Sequence, residues 1–418
     1  MTRLSSYVAI RRWNHHLRAL RVPQTPQPMS PAGPLSGLAV SVKDVIDVAG
    51  WPNTCNHRAF ADRVAKEDAP VVAALRAAGA HLIGSSTTLE FAYGGFTEDG
   101  LYPPARNPWR LDRSPGGSSA GAAAAVAAGL CDASLATDTS GSVRGPAALC
   151  GVLGLKPGHG SISNDGIYPL ADSLNVAGVL ARRPDILARV TGAALGRRLS
   201  ESPAAPRRVG WIRGFDADAG VAPPVAEAMQ RALDDLRELG AEVMEVAPSS
   251  DLQTYHAACV VTLLFEAWQA HGRRLRNERD AYDPRTWSRL ALGAFVSSKS
   301  YRTAMALRRA LRGEIDRLFD NADILVTAGA PAAAGSPTAA APFGMLRDRF
   351  LLSPFSATGH PAMTMPIGFA DGLPLSLQAI APFAEEERLV GLAAAHALMR
   401  DWQASRPPLE DLTSCLPA

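Results

Sequence analysis

Three short segments of the chain carry side chains that could do chemistry together. Lys43 ends the apolar run LAVSVK (38–43), residues 114–121 read SPGGSSAG, and residues 136–146 read ATDTSGSVRGP. Lysine is rare here, with four among 42 basic residues, and unlike arginine it can lose its proton and act as a base. A serine needs a base to become a nucleophile, and Ser–Lys arrangements serve where histidine is absent.

Each segment also has a purely structural interpretation. Lys43 could pair with Asp44 or Asp47 at the end of a strand, and SPGGSSAG has the composition of a flexible linker. Residues 117–121 fit the GxSxG pattern of a nucleophile elbow, but the polar, Pro-broken residues before them are not a strand, so that interpretation fails. Residues 136–146 could be a polar turn, or their small residues could point successive backbone N–H groups into one cavity, as an oxyanion hole requires.

Composition argues against several other classes of protein. The chain has 418 residues, a net charge of +2 and 6% aromatic residues, which disfavours nucleic-acid binding. Its five cysteines are scattered without a CxxC pair, which argues against a disulfide framework or a zinc site. No apolar run approaches the roughly 18 residues of a membrane span. We therefore expect a cytoplasmic protein with no membrane and no nucleic-acid partner.

No segment has the spacing of a cofactor or metal site. The sequence lacks Walker A and GxGxxG loops and has no HExxH pattern, so we expect no nucleotide cofactor and no metal. His57, His159 and His360 lie in loops near Gly or Pro. We interpret them as surface residues or as residues that support a site from outside it.

The elements that must position the three segments follow from sequence patterns. Residues 38–43 predict a strand that delivers Lys43 to its carboxyl end, residues 70–79 a helix and residues 80–84 the next strand. This alternation predicts an α/β fold. The Ala-rich run 122–129 predicts a helix with almost no side-chain bulk, which we expect to be buried at the centre of the protein.

Beyond residue 200 the pattern continues in a looser form. Strands are predicted at 209–214, 241–246 and 323–329, and helices at 223–239, 252–281 and 301–319. No internal repeat and no long linker divides the chain. We expect a lead-in over residues 1–34, extended in its Pro-rich part at 22–34, followed by one large domain over residues 35–418.

Taken together, the three segments resemble the motifs of the amidase signature family. The family pattern has a lysine in V-K-D, then GGSS-x-G, then G-T-D-[ST]-G-G-S-[IV]-R, and then G-L-K-P. The chain supplies these motifs at residues 42–44, 116–121, 137–144 and 154–157. Further agreement comes from residues 87–92, 106–108, 359–362 and 372–378, so the resemblance spans residues 35–400.

The resemblance implies one α/β/α domain with a mixed central sheet covered by helices on both faces. Core motifs would occupy residues 35–182, a variable substrate region residues 195–350, and a C-terminal core residues 351–400. Three aromatic residues are candidates for the wall of the substrate pocket, but packing in the core is the favoured role for any one of them. They are Tyr93, Phe96 and Phe355.

The resemblance also implies a Ser–cis-Ser–Lys triad. Ser142 would be the nucleophile and Lys43 the general base. Ser118, preceded by a cis peptide bond, would relay the proton between them. To act as a base near neutral pH, Lys43 needs a pKa lowered from about 10.4 to about 7–8.

Residues around the triad receive implied roles as well. The oxyanion hole would be formed by backbone N–H groups of Thr139, Ser140, Gly141 and Ser142. The triad would be supported by Ser119, Asp138 and Arg144. Arg144 could instead bind a substrate carboxylate, but we favour a structural pair with Asp138.

The chain departs from the family pattern at three positions near these motifs. Ser140 stands where the pattern has a glycine, so a side chain lines the oxyanion region and trims the shape of the substrate. Asn175 replaces the aspartate of S-L-D, and Val179 replaces the proline of G-P. Neither of the last two belongs to the triad.

The expected function is hydrolysis of a linear small-molecule carboxamide to a carboxylate and ammonia or an amine, through an acyl-enzyme. The short layout before Lys43 is similar to that of plant indole-3-acetamide hydrolases. Two enzymatic alternatives stay open: the glutaminase subunit of a tRNA-dependent amidotransferase, and an allophanate- or carboxybiuret-type hydrolase. A catalytically inactive binding protein is disfavoured, because such relatives lose triad residues. The expected partner is a small-molecule amide, and a homodimer is left open.

Overall fold

A mixed β-sheet forms the centre of the protein. The computed structural model describes residues 3–22, 31–98, 100–337, 343–346 and 350–410, and in this part of the chain the sheet has eleven strands. In chain order they are β1 Leu20–Arg21, β2 Ala39–Lys43, β3 His81–Ser86, β4 Ala133–Asp138, β5 Leu153–Lys156, β6 Val176–Ala181, β7 Arg208–Trp211, β8 Glu242–Glu245, β9 Ile324–Ala328, β10 Ala362–Ala370 and β11 Leu373–Ile380.

The α-helices surround this sheet. In chain order those in the described residues are α1 Arg3–Leu17, α2 Pro70–Ala77, α3 Ala120–Ala127, α4 Arg144–Cys150, α5 Pro184–Leu195, α6 Arg213–Asp218, α7 Pro223–Glu238, α8 Leu252–Asn277, α9 Pro284–Ala291, α10 Ser298–Leu318, α11 Ser353–Ala357 and α12 Glu386–Met399.

The sheet order brings the segments with candidate chemistry to one edge. The strands lie in the order β1-β3-β2-β4-β6-β5-β10-β11-β9-β7-β8. β2 pairs in parallel with β4, with Val42 opposite Leu135. Because parallel strands end at the same edge of a sheet, Lys43 at the end of β2 and Asp138 at the end of β4 lie at neighbouring positions.

Helices cover both faces of the sheet. Successive side chains of a strand point to opposite faces, and along β2 they enter two different apolar clusters. Val40 and Val42 pack in the larger cluster, which includes residues of α2, α5, α7 and α8. Ala39 packs in the smaller cluster with residues of α1 and α3. The structure therefore confirms the predicted α/β/α fold with a mixed central sheet.

The predicted elements agree with the structure within a few residues, with two differences. The strand predicted at 209–214 is β7 and stops at Trp211, because helix α6 begins at Arg213. The helix predicted at 252–281 is α8, which ends at Asn277, and a further helix, α9, precedes α10. The Ala-rich helix α3 is completely buried along its length, as predicted.

The N-terminal residues hold a helix that the sequence prediction lacked. Helix α1 lies within the predicted lead-in, and its residues Ile10, Trp13 and Leu17 are buried against the cluster that contains α3. Strand β1 pairs with β3 at the edge of the sheet. Of the stretch 22–34 expected to be extended, residues 23–30 lie outside the described part of the chain.

Candidate active site

Lys43 lies at the centre of the candidate site. It is the last residue of β2 and its side chain is completely buried. Its Nζ donates to Ser118 Oγ at 2.8 Å, to Thr137 Oγ1 at 3.0 Å and, more weakly, to the Thr137 carbonyl at 3.5 Å. The amine is therefore held against a serine hydroxyl by polar groups that carry no charge.

The interpretation of Lys43 as one half of an ion pair at a strand end is wrong. Asp44 Oδ2 instead contacts Arg21 Nη2 at 2.6 Å, and Asp47 Oδ1 accepts from Arg63 Nη2 at 3.1 Å. Burial lowers the pKa of Lys43 to about 7, against a smaller opposing effect of the charge on Asp138. The amine is thus substantially uncharged at neutral pH, as a general base requires.

The Gly/Ser-rich segment is part of the buried site rather than a linker. The peptide bond between Gly117 and Ser118 is cis, as the resemblance implies, and Ser118 and Ser119 are both buried. Ser119 precedes α3, donates its amide to the Ser142 carbonyl at 3.3 Å and its hydroxyl to the Thr137 carbonyl at 3.3 Å. These two bonds join the segment to the turn that carries Ser142.

Asp138 and Arg144 hold that turn in shape. Both side chains are completely buried. The Arg144 guanidinium donates two hydrogen bonds of 2.9 Å to the Asp138 carboxylate, from Nε to Oδ2 and from Nη2 to Oδ1. The remaining guanidinium donors reach Gln378 Oε1 at 2.7 Å and Ser356 Oγ at 2.7 Å. Burial raises the pKa of Asp138, but the charge and hydrogen bonds of Arg144 outweigh it and lower that pKa to about 2.

The structure therefore agrees with the favoured interpretation of Arg144 as the structural partner of Asp138. Its guanidinium is committed to protein acceptors and does not reach the cavity as a carboxylate binder. The Asp138 carboxylate also accepts from the amides of Gly141 at 2.7 Å, Val143 at 3.2 Å and Arg144 at 3.3 Å. Asp138 thus fixes the path of the backbone on both sides of Ser142.

One of the four amides expected in the oxyanion hole is already engaged. Gly141 has a φ of 115° and a Cβ at this position would lie 2.6 Å from Leu352 Cδ1, so only glycine fits this turn. Because the Gly141 amide donates to Asp138, it is not free to bind a substrate oxygen. The departure at Asn175 also touches this turn, since Asn175 Oδ1 accepts from Thr139 Oγ1 at 3.1 Å.

A cavity of about 280 Å³ opens beside the two serines. Ser118 and Ser142 line it, with Thr139 and Ser140 from the same turn. Ser142 is half-buried, so its hydroxyl is accessible from the cavity. The remaining wall comes from Leu89, Ala92, Tyr93, Gly94, Gly95, Phe96, Gly117, Leu170, His256, Val260, Leu263, Arg285, Arg289, Pro337, Gly344, Met345 and Phe350.

Two of the three aromatic candidates for the cavity wall do line it. Tyr93 and Phe96 line the cavity, whereas Phe355 on α11 is fully buried in the large apolar cluster, the role favoured for each of the three. Phe350, which was not among the candidates, also lines the cavity and stacks on His256 with ring centroids 5.8 Å apart.

The surface interpretation is wrong for two of the three histidines. His57 and His360 are completely buried. His57 Nδ1 is 2.7 Å from Glu90 Oε1, and His360 Nε2 is 2.9 Å from Asp316 Oδ1. His57 thus supports the residues that follow Glu90 along the cavity wall, and only His159 lies partly at the surface.

Sequence reasoning placed the substrate region at 195–350 but did not identify the residues there that close the cavity from the other side. His256, Val260 and Leu263 come from one face of α8, and Arg285 and Arg289 come from α9. Spacings of three and four residues place such side chains on one helix face, so the pattern was visible. Nothing in the sequence indicated that these faces meet the serine turns. Among the described residues, no group of three or more His, Cys, Asp and Glu side chains is arranged to hold a metal.

The fold and this constellation define an enzyme of the amidase type, which acts on C–N bonds. A family model described as Amidase matches residues 17–390. The chain therefore belongs to the amidase signature family. No helix in the described part of the chain has the length and apolar character needed to cross a membrane.

Relatives of the chain include amidotransferase subunits and amidases. The glutamyl-tRNA(Gln) amidotransferase A subunit of Roseiflexus sp. (strain RS-1) is 35% identical over 90% of this chain and 85% of its own length. A crystal structure of an amidase is 28% identical with a TM-score of 0.85, covering 95% of both chains. The crystal structure of the same amidotransferase subunit from Thermotoga maritima is 28% identical with a TM-score of 0.82, covering 94% of this chain and 90% of its own.

Proposed function

We propose that the chain hydrolyses a carboxamide through an acyl-enzyme on Ser142. The single observation that carries this proposal is the 2.8 Å contact between Lys43 Nζ and Ser118 Oγ beside a cavity lined by Ser142. A buried amine with a pKa lowered to about 7 can accept a proton from a hydroxyl at neutral pH. A charged ammonium cannot.

In the proposed first step, Ser142 Oγ attacks the amide carbon while its proton passes to Ser118 Oγ. The Ser118 proton passes in turn to Lys43 Nζ. Backbone N–H groups of Thr139, Ser140 and Ser142 would stabilise the oxyanion, and removal of one such donor typically costs about 10²–10³ in rate. We leave Gly141 out of this set because Asp138 accepts its amide proton.

In the second step the C–N bond breaks and the nitrogen leaves with the proton returned through Ser118. The products are ammonia or an amine and the Ser142 ester. A water molecule then attacks the ester with Lys43 and Ser118 acting as base relay, which releases the carboxylate and restores the hydroxyl of Ser142. Ser119, Asp138 and Arg144 support these groups by fixing the two turns and do not touch the substrate.

Release of ammonia from a panel of amides by the purified chain tests this proposal. The panel contains linear carboxamides, indole-3-acetamide, allophanate, biuret-type amides and glutamine. Ser142→Ala should abolish turnover, whereas Ser202→Ala at an exposed position should leave it unchanged. Undiminished hydrolysis by the Ser142→Ala variant would contradict the proposal.

A second candidate function is the glutamine-hydrolysing subunit of a tRNA-dependent amidotransferase. It is favoured by curated relatives that are 33–36% identical and carry the name of this amidotransferase component. In this case glutamine should be hydrolysed at a useful rate only after addition of the remaining amidotransferase subunits and glutamyl-tRNA(Gln). Turnover of a small amide without any partner supports the first function instead. A cytoplasmic location is part of the proposal in either case, and a homodimer stays open.

A further inference from the structure

Ser140 contributes a side chain to the cavity at a point next to the nucleophile. It follows Thr139 in the turn between β4 and α4, is half-buried, and lines the same cavity as Ser118 and Ser142. Successive Cα atoms are 3.8 Å apart, so two residues separate Cα atoms by at most about 7.6 Å. The Ser140 hydroxyl therefore lies close to the place where an acyl group on Ser142 would begin.

The hydroxyl of Ser140 is contacted by Cys259 on α8, which does not itself line the cavity. Cys259 Sγ donates to Ser140 Oγ at 3.6 Å, and Cys259 is completely buried. Burial raises the pKa of the Cys259 thiol, so the thiol keeps its proton at neutral pH. Since the thiol has a single proton to donate, Ser140 Oγ acts as the acceptor in this bond.

This arrangement leaves the hydroxyl proton of Ser140 available for another partner. A serine hydroxyl accepts and donates at the same time, and within the described residues the structure gives Ser140 Oγ no acceptor for its own proton. The residues of α8 that line the cavity are His256, Val260 and Leu263. A bound ligand that places an acceptor beside the Ser140 hydroxyl gains one hydrogen bond.

We propose that Ser140 is a specificity-determining residue that donates a hydrogen bond to an oxygen on the acyl chain of the substrate, within two bonds of the scissile carbonyl. Cys259 is the positioning residue that orients this donor. The inference rests on the proposed function and adds the substrate class: carboxamides with a hydroxyl, ether or carbonyl oxygen at the first or second carbon of the acyl chain.

Two pairs of amides that differ in one group test this inference. Lactamide and 2-methylpropanamide differ by a hydroxyl in place of a methyl group, and so do 3-hydroxypropanamide and butanamide. The wild-type chain should show a higher kcat/KM for the hydroxyl-bearing member of at least one pair. One neutral hydrogen bond corresponds to a preference of about three- to tenfold.

Variants of Ser140 and Cys259 then test whether these two residues cause the preference for hydroxyl-bearing amides. Ser140→Ala should remove the preference: kcat/KM should fall further for the hydroxyl-bearing amide than for the apolar one, so that the ratio of the two values approaches one. Cys259→Ala should reduce the preference, and Cys259→Ser, which keeps a donor, should restore it. Cys131→Ala is the matched control, because Cys131 is another buried thiol and contacts Ser41 rather than Ser140.

The outcomes separate this inference from the proposed function. No preference for either hydroxyl-bearing amide in the wild type overturns the inference, and so does a Ser140→Ala variant with the wild-type preference. If Ser142→Ala is inactive while Ser140→Ala lowers both members of each pair equally, the amidase function stands and the specificity role fails. If thermal unfolding shows that Cys259→Ala does not fold, the substrate preference of Ser140→Ala still tests the specificity role.

Discussion

Lys43 Nζ lies 2.8 Å from Ser118 Oγ, and the other hydrogen bonds of the amine in the described structure go to Thr137, an uncharged residue. A buried lysine normally needs a carboxylate to stay charged, because removing its charge from water is costly. Here the nearest compensating charge, on Asp138, is already paired with Arg144. The position of the amine therefore favours its neutral form.

We expect the activity to rise with pH through the titration of Lys43. The base must be deprotonated, and burial lowers the pKa of Lys43 to about 7, so kcat/KM should increase tenfold per pH unit below 7 and level off above about 8. A pH profile measured from 5 to 9 with a neutral amide checks this expectation. A profile that is flat, or that falls over this range, would contradict it.

The matched variant for this profile is Lys43→Met. It keeps the length and burial of the side chain but has no group that can accept a proton, so turnover should fall by at least about 10², the lower range for loss of a general base. Thermal unfolding of the variant measures its folding separately. Full turnover by a folded Lys43→Met chain would remove Lys43 from the mechanism.

The pair Asp138–Arg144 should contribute strongly to stability. Both side chains are fully buried, and removal of one partner of a buried pair typically costs about 3–5 kcal/mol. Asp138→Asn should therefore lower the free energy of unfolding by an amount in this range. The control is Asp112→Asn in the exposed pair with Arg110, where the expected loss is at most about 1 kcal/mol. Equal effects of the two variants would contradict the structural role.

The contribution of the ionised Asp138 side chain to the free energy of unfolding should be lost at low pH. Its pKa is about 2 in the folded chain and about 3.9 in an unfolded chain. The unfolded state therefore binds the proton first as the pH falls, so this stability is fully present above about pH 5 and is lost as the pH approaches 2. Urea unfolding of wild type and Asp138→Asn at several pH values should show a difference that shrinks below pH 4.

The sequence predicted the parts of the site that are local and missed the parts that depend on tertiary packing. A short apolar run ending in Lys43 was enough to predict β2. The residues of the two turns left a linker and a polar turn open, and the resemblance to the family assigned both turns to the site. The walls supplied by α8 and α9 come from residues more than 100 positions away from Ser142, such as His256 and Arg289. No periodicity in those helices indicates which other segment they face.

The missed helix α1 has a different cause. Ile10, Trp13 and Leu17 follow a helical spacing and are buried, so a signal was present. It was not used, because the prediction for residues 1–34 rested only on the Pro-rich part at 22–34. For the aromatic residues the sequence could not separate the cavity wall from the core: Phe350 lines the cavity, whereas Phe355, five residues later, is buried in the large apolar cluster.

A second buried lysine, Lys156, should make the free energy of unfolding depend on pH above 7. Lys156 Nζ donates to the carbonyls of His360 at 2.6 Å and Pro157 at 3.0 Å. Burial, and after it the charge of Arg144, lowers the pKa of Lys156 to about 7, whereas an unfolded lysine has a pKa of about 10.4. Between the two pKa values the unfolded state binds more protons than the folded state. The contribution of Lys156 to the free energy of unfolding therefore rises with pH in this range and is lost as the pH falls toward 7.

Lys156→Met isolates this effect from that of Lys43, which titrates in the same range. The free energy of unfolding of the wild type minus that of the variant should increase between pH 7 and 10, by up to about 1.4 kcal/mol per pH unit. Denaturant unfolding at pH 7, 8, 9 and 10 measures this difference. A constant difference over the range would mean that Lys156 is charged in the folded chain.

Gly121 should tolerate no side chain, because α3 approaches its neighbours there more closely than any other residue allows. A Cβ at this position would lie 2.4 Å from the Ala19 carbonyl oxygen and 2.5 Å from the Thr87 amide nitrogen. Gly121→Ala should therefore destabilise the chain by about 1–3 kcal/mol. It should also lower activity, since a shift of α3 moves Ser118 away from Lys43.

Gly214→Ala is the control. An added Cβ at Gly214 meets no atom within 4 Å, and alanine in helix α6 should raise the free energy of unfolding by about 0.5–1 kcal/mol. Chemical unfolding and amide hydrolysis of both variants check the contrast, and wild-type stability of Gly121→Ala would show that α3 is free to move without cost.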